Sequence, residues 1–191
     1  MRISSSSSST YGKWEVDDGN QSSSVGFICE WETNNHVATA AVPDLNASGK
    51  PEIAALYLDF ATGYHTVRVR DMVTGSLLRT LTFLKSEQPP QGLAVVRDLS
   101  GNTVPEIGVL YRDPTTLQPT VWFKDATTLA TVKTMAFLSN LYDPKAINTL
   151  GDLNANGSDE ILVEGVLRST GAAYAEIRDS KTGAKLGGAA F

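Results

Sequence analysis

The sequence has few of the residues that enzymes commonly use for catalysis. Cys29 is the single cysteine, so an intrachain disulfide is excluded. The two histidines, His36 and His65, lie in no metal or nucleophile motif. The chain also lacks a GxSxG elbow, a phosphate-binding loop and an HExxH pattern. The sequence therefore predicts that this chain is not an enzyme.

Basic clusters and long apolar runs are also missing. Charged residues make up 19% of the chain, and the net charge is −5. Without a basic stripe to neutralise phosphates, nucleic acid is excluded as a partner. No apolar run approaches the roughly 20 residues that span a bilayer, which argues against membrane insertion.

The first residues, "MRISSSSSSTYG", contain no apolar segment of the kind found in a signal peptide. A serine run has nothing to bury and is typical of flexible leaders and linkers. We therefore predict a disordered, serine-rich leader over residues 1–11, and we suspect that residue 1 is not the native start of the protein.

Three sets of residues recur at a constant spacing of 54 positions, and together they define an internal repeat. The first two are aspartate series, and the third is a phenylalanine series. Their members are Asp44, Asp98 and Asp152; Asp71, Asp125 and Asp179; and Phe83, Phe137 and Phe191.

Each repeat contains four strand signals. In the first repeat they are "VATAAVPDL", "PEIAALYLD", the alternating "HTVRVRD" and "SLLRTLTF", with the turn "DMVTG" before the fourth strand. No segment has a helical period. The sequence therefore predicts an all-β fold of propeller blades, each made of four antiparallel strands.

The repeat divides the chain into about three and a half blades. Residues 12–36 match the third and fourth strands of a blade, and whole blades follow at 37–90, 91–144 and 145–191. Closed propellers have typically four to eight blades. We therefore expect exposed blade faces to be covered by further blades of a longer chain or by other protein chains, with a homo-oligomer as one solution.

The loop "DLNANGSDEI" places oxygen-bearing groups at alternate positions, as calcium sites do. In this third loop (residues 152–160), Gly157 permits the tight turn. The predicted ligands are Asp152, Asn154, Asn156, the Ser158 carbonyl and Glu160.

Two altered copies of this loop offer similar ligands. The first loop (residues 44–52) has Asp44, Asn46, Ser48, the Lys50 carbonyl and Glu52. The second loop (residues 98–106) has Asp98, Ser100, Asn102, the Val104 carbonyl and Glu106, but Thr103 replaces the glycine. Since each loop has only two charged ligands, we expect weak calcium binding, poorest in the second loop. The alternative is a polar turn that Asp, Asn and Ser close by hydrogen bonds, without metal.

These loops, with "D..TG..L" downstream, resemble FG-GAP or VCBS-type repeats, the blades of integrin-alpha-like β-propellers. The resemblance covers roughly residues 12–191. It implies that calcium binds the loops between the first and second strands. The variant "DLN.NG..EI" also resembles repeats in large bacterial surface or secreted proteins. This chain departs from the family in having Asn, Ser and Glu where Asp is common.

The sequence leaves three functional classes open. The leading prediction is a non-enzymatic extracellular module for adhesion, surface assembly or protein–protein interaction. The alternative is a carbohydrate-binding module, in which Trp14, Trp31 and Trp122 would stack on sugars. The third is an enzyme of the quinoprotein dehydrogenase type, which "RDMVTGSLL" and "RDSKTGAKL" resemble; the tryptophan docking repeats of that family are missing.

Overall fold

A computed structural model describes residues 35–85, 89–138 and 141–191. Several sequence predictions lie outside these residues. They are the serine-rich leader at 1–11, nearly all of the half blade at 12–36, Cys29, Trp14 and Trp31.

Twelve strands form three separate four-stranded sheets, and the described residues contain no helix. Within each sheet the strands are antiparallel neighbours in chain order. The first sheet contains β1 (Asn35–Val42), β2 (Glu52–Asp59), β3 (Tyr64–Asp71) and β4 (Leu77–Lys85). The second contains β5 (Gly92–Val96), β6 (Glu106–Arg112), β7 (Pro119–Asp125) and β8 (Thr131–Ala136). The third contains β9 (Leu141–Leu150), β10 (Glu160–Leu167), β11 (Ala173–Asp179) and β12 (Lys185–Ala190). The predicted all-β architecture is confirmed.

Strand β3 shows how the sequence pattern sets the two faces of a sheet. Val67 and Val69 are buried on one side, whereas Arg68 and Arg70 are partly exposed on the other, as the alternation predicts. The turn after β3 contains Gly75 at a φ of 71°, a left-handed conformation that glycine adopts without a steric cost.

The sheets stack face to face, and their first strands, β1, β5 and β9, are neighbours. One apolar cluster fills the space between the first and second sheets. Its buried members include Leu56, Val69, Leu81, Phe83, Ile107 and Val109. A second cluster lies between the second and third sheets and includes Leu110, Phe123, Met135, Phe137, Ile161 and Val163. The second sheet is therefore covered on both faces.

An ion pair adds a polar connection between the second and third sheets. Asp159 accepts hydrogen bonds from the Arg97 backbone N–H at 2.8 Å and from its guanidinium Nε at 2.7 Å. The Asp159 side chain is only 11% exposed. Its charge is satisfied by Arg97, so burial leaves no unpaired carboxylate at this point of the sheet junction.

Among the residues that the structure describes, no helix is long and apolar enough to cross a membrane.

Gly108 gives a direct test of how closely β6 and β7 pack on a buried face of the second sheet. A Cβ added at Gly108 would lie 2.6 Å from Cε1 of Phe123, a fully buried side chain that has no room to move. Gly108→Ala is therefore expected to lower the free energy of unfolding by about 1–3 kcal/mol through overpacking. Urea denaturation would measure the change.

The matched control is Gly187→Ala. Gly187 lies in β12, and a Cβ there meets no atom within 4 Å. This substitution should leave the urea midpoint close to that of the unsubstituted protein. Equal losses in the two variants would contradict the close approach at Gly108.

Candidate functional site

The three candidate loops join the first strand of each sheet to the second, where the sequence predicts them. They connect β1 to β2, β5 to β6 and β9 to β10. The turn between the third and fourth strands lies at the same end of each sheet, because antiparallel strands alternate in direction. Each loop therefore has a neighbouring turn within reach of its side chains.

All three loops share one backbone conformation, with left-handed residues at positions four and six. The φ values are 59° and 78° at Ala47 and Gly49, 86° and 68° at Gly101 and Thr103, and 57° and 87° at Ala155 and Gly157. The sequence predicted that Thr103 would set the second loop apart. The structure shows instead that Thr103 adopts the same left-handed conformation, which is unfavourable for a β-branched residue.

The aspartate at position one of each loop accepts backbone N–H groups. Asp152 accepts from Gly157 at 2.8 Å and from Asn156 at 3.0 Å. Asp44 accepts from Gly49 at 2.6 Å, and Asp98 accepts from Thr103 at 2.5 Å. Burial opposes ionisation, but these N–H bonds prevail and lower the pKa values of Asp44 and Asp98.

The glutamate at position nine distinguishes the loops. Glu52, Glu106 and Glu160 are all fully buried. One oxygen of each accepts the N–H of the residue after the aspartate, at 2.9 Å from Leu45, 2.7 Å from Leu99 and 2.6 Å from Leu153.

The second glutamate oxygen differs from loop to loop. Oε1 of Glu106 accepts the Ser100 N–H at 3.2 Å. Oε1 of Glu52 and Oε1 of Glu160 are buried without a hydrogen-bond partner among the described residues. The first and third loops therefore each hold an unsatisfied buried carboxylate oxygen, and the second does not. In the second loop, burial raises the pKa of Glu106.

A hydrogen bond that the sequence did not predict connects each loop to the neighbouring turn. The amide Nδ2 of Asn46 donates to Asp71 at 2.7 Å, and that of Asn102 donates to Asp125 at 2.6 Å. In the third sheet, Asn154 (3.1 Å) and Asn156 both donate to Asp179. We call this contact the Asn–Asp bridge. The only sequence signal for the bridge was the second aspartate series, which the sequence analysis used to define the repeat.

The aspartate of the bridge also closes its own turn. Asp71 accepts the N–H groups of Val73 (2.9 Å) and Thr74 (2.6 Å), and the Thr74 hydroxyl at 2.9 Å. The bond from Asn46, followed by those from Thr74, lowers the pKa of Asp71 to about 2. The pKa of Asp179 is lowered further: its burial acts in the opposite direction, but the bonds from Thr182 and the two asparagines outweigh it.

The loops offer carboxylate, amide, hydroxyl and carbonyl oxygens, the donor types that Ca²⁺ prefers. Each predicted ligand set lies within one loop. An ionised carboxylate has about four lone-pair sites, so one that accepts two N–H bonds can still hold a cation. Within the described ranges, no group of three or more Asp, Glu, His or Cys side chains forms a metal-binding cluster. Each loop therefore supplies oxygen donors of the right type, with two carboxylates among them, but no cluster of three acidic ligands.

Trp122 is the one tryptophan within the described residues, and it packs between sheets. Its ring meets Phe83 edge to face, with centroids 6.2 Å apart, and its Nε1 donates to Thr131 at 3.0 Å. These contacts hold the half-buried ring against the first sheet. The carbohydrate-binding alternative thus depends on Trp14 and Trp31, outside the described residues.

Comparisons with known proteins identify no family for this chain. No family model matches it, and no curated protein matches it. Among solved structures, it is similar to a fucose lectin from Kordia zhangzhouensis, determined in complex with methyl-fucoside. The two are 13% identical over 75% of this chain and 92% of the lectin, with a TM-score of 0.47. A likeness at this level carries no argument about what the chain binds, and the resemblance to FG-GAP or VCBS-type repeats stays a prediction.

Because of the Asn–Asp bridge, we expect the free energy of unfolding to depend on pH in the acid range. Because the pKa of Asp71 falls from 3.8 to about 2 on folding, the unfolded chain takes up the proton first. The stabilisation is complete above about pH 4 and is lost as the pH falls to about 2. Asp71→Asn should lower stability at neutral pH and make its decline over this window less steep, as measured by urea midpoints at several pH values.

Asp143→Asn is the control, since Asp143 pairs with Lys145 at 2.6 Å and takes no part in a bridge. It should keep the full acid dependence. An unchanged pH profile in Asp71→Asn would show that the bridge does not contribute to stability.

Proposed function

We propose that the chain is a non-enzymatic module of β-propeller blades, of the kind found in FG-GAP or VCBS-type repeats, that works outside the cell in adhesion or assembly. In this proposal the first and third loops bind calcium. The three stacked four-stranded sheets support the blade interpretation, since strand order and connection are the same in each. The loops support the calcium part.

The observation that carries the calcium proposal is the pair of unsatisfied glutamate oxygens. A buried carboxylate oxygen without a partner costs about 1–3 kcal/mol or more, because it loses water and gains nothing. Oε1 of Glu52 and Oε1 of Glu160 have this environment in the part of the chain that the structure describes. A cation in the loop would satisfy both the oxygen and its charge.

The expected affinity favours an extracellular setting. Two carboxylates per loop give fewer charges than high-affinity calcium sites use, and extracellular modules bind calcium at roughly 10⁻⁴–10⁻³ M. A bound ion would connect the aspartate at position one to the glutamate that begins the second strand. Through the Asn–Asp bridge it would also stiffen the neighbouring turn, so that one ion would order a whole end of a blade.

The non-enzymatic part of the proposal rests on the sequence, in which catalytic motifs are missing. The assembly part rests on the sheet faces. Small stacked sheets bury apolar side chains only where another sheet covers them, so a module of this kind presents ready-made surfaces for further sheets.

Calcium binding can be tested with matched glutamine variants of the full chain. Isothermal titration and native mass spectrometry should find two calcium ions per chain at millimolar calcium. Glu52→Gln and Glu160→Gln should each remove one ion, since glutamine keeps the acceptor for the Leu45 or Leu153 N–H but loses the charge.

Glu106→Gln is the control, because both oxygens of Glu106 already accept hydrogen bonds. It should leave the number of bound ions unchanged. A protein that binds no calcium at millimolar concentration would refute the calcium proposal and leave the loops as hydrogen-bonded turns.

A further inference from the structure

The third sheet has an apolar face that the described residues leave open. A groove on this face is lined by Leu162, Glu164, Ala175, Ile177, Gly188, Ala189 and Phe191. Phe191 is 83% exposed, the largest value among the exposed hydrophobic residues of the described part. An exposed apolar groove on a sheet favours contact with another apolar surface.

The repeat shows what normally covers this face. Each residue of this third-sheet face has a counterpart 54 positions earlier in the second sheet and 108 positions earlier in the first. In those two sheets the counterparts lie on the face that packs against the following sheet. The third-sheet set is Leu162, Glu164, Ala175, Ile177, Ala189 and Phe191; the second-sheet set is Gly108, Leu110, Val121, Phe123, Met135 and Phe137; and the first-sheet set is Ala54, Leu56, Val67, Val69, Leu81 and Phe83. We call this face of each sheet its forward face. In the first and second sheets the forward face is buried by the next sheet.

A cation over a phenylalanine ring marks each of these junctions. Between the first and second sheets, Lys124 Nζ lies 5.6 Å from the Phe83 ring centroid. Between the second and third sheets, Arg178 Cζ lies 5.4 Å from the Phe137 centroid. In both cases the forward face supplies the ring, and the following sheet supplies the cation.

Among the described residues of one chain, no third ring–cation pair of this series is formed. The next ring is Phe191, and the residue that corresponds to Lys124 and Arg178 is Arg70, in the first sheet. Arg70 shares one contact with Arg178: its guanidinium donates to the Gly75 carbonyl at 2.9 Å, and that of Arg178 donates to the Gly183 carbonyl at 3.1 Å. Arg178 is held in addition by Glu176, which accepts from its Nε at 2.6 Å.

The first sheet also presents the matching apolar surface around Arg70. We call the side that receives a preceding sheet the rear face. On the second sheet it includes Leu93, Ile107, Val109 and Ala126, which pack against the first sheet. The corresponding first-sheet residues are Thr39, Ile53, Ala55 and Met72, of which Ile53 is 38% exposed and Met72 59% exposed. The charges also match, with Glu164 on the forward face and Arg70 on the rear face.

We propose that two copies of this chain associate head to tail. The forward face of the third sheet of each copy packs on the rear face of the first sheet of the other, and Phe191 of one copy meets Arg70 of the second. Because both copies use both faces, two identical junctions close a ring. The described residues of two copies contain six sheets, within the four to eight blades of known propellers. The inference rests on the blade arrangement proposed above, and it is independent of calcium.

The competing occupant of the rear face is the half blade predicted at residues 12–36. In that segment the residue 54 positions before Phe83 is Cys29, so the phenylalanine series does not continue into it at this spacing. That segment does not supply the ring at the spacing which the two observed junctions use. Phe191 of a second copy does.

Sedimentation equilibrium of the full chain, from about 1 to 100 μM, tests the association. The unsubstituted protein should form a dimer. Phe191→Ala and Ala189→Glu should each weaken dimerisation by at least about tenfold, through loss of the cation–π contact and through a charge placed in the apolar junction. Phe60→Ala is the matched control: Phe60 is 61% exposed in the turn after β2, and its loss should leave the dimer unchanged.

Mixing two variants distinguishes head-to-tail association from other dimers. Ala189→Glu blocks the forward face. Ala41→Glu blocks the rear face, because Ala41 corresponds to Val95, which packs against the first sheet. Both sites are exposed, so neither change disturbs the core. Each variant alone should be monomeric, whereas a mixture should form a dimer through its one intact junction. If Ala41→Glu alone dimerised as the unsubstituted protein does, the head-to-tail geometry would be wrong.

A chain that stays monomeric at about 100 μM would overturn the proposal. The experiment is repeated with calcium and with a chelator. A dimer that persists in Glu52→Gln/Glu160→Gln without bound ions would uphold the association and refute the calcium sites. If Phe191→Ala abolishes the dimer but still binds calcium, association and calcium binding are independent properties of the chain.

Discussion

The structure depends on covering the faces of small sheets. A four-stranded sheet has two faces, and in this chain both faces of the second sheet are apolar, so neither can be left in water without losing the hydrophobic stabilisation of its side chains. Stacking solves this for the second sheet and for one face of each of its neighbours. The two apolar clusters between the sheets follow from this arrangement, and so does the exposure of Phe191, which occupies a core position with no described sheet in front of it.

Polar side chains organise the ends of the sheets in a second, independent way. The loop aspartates and the bridge aspartates accept several backbone and side-chain hydrogen bonds, which favour their ionised form and fix the connections. The glutamates are different, because burial separates them from water while only one oxygen is satisfied in the first and third loops. Hydrogen bonding therefore accounts for the shape of all three loops. A cation would in addition satisfy the glutamate oxygens that have no hydrogen-bond partner in the first and third loops.

The strands, turns and inward-facing residues could be predicted because they depend on local patterns. The alternation of Val67 and Val69 with Arg68 and Arg70 fixes a face, and Gly75 fixes a turn. The Asn–Asp bridge could not be predicted in the same way, because Asn46 and Asp71 meet only after two strands have paired. Thr103 is a case in which residue type alone misled. Its identity suggested a different loop, but the surrounding hydrogen bonds hold it in the same left-handed backbone conformation.

By itself the sequence determined the period of the repeat, the all-β architecture and the loops in which oxygen-bearing residues gather, since each is written in residue type and spacing. Only the tertiary structure decided which asparagines hold the neighbouring turns, and which glutamate oxygens and sheet faces the described residues leave without a partner. The physical reason is that burial and hydrogen bonding depend on residues brought together from distant parts of the chain. Corresponding positions such as Phe83, Phe137 and Phe191 are alike in sequence, yet only the first two are buried.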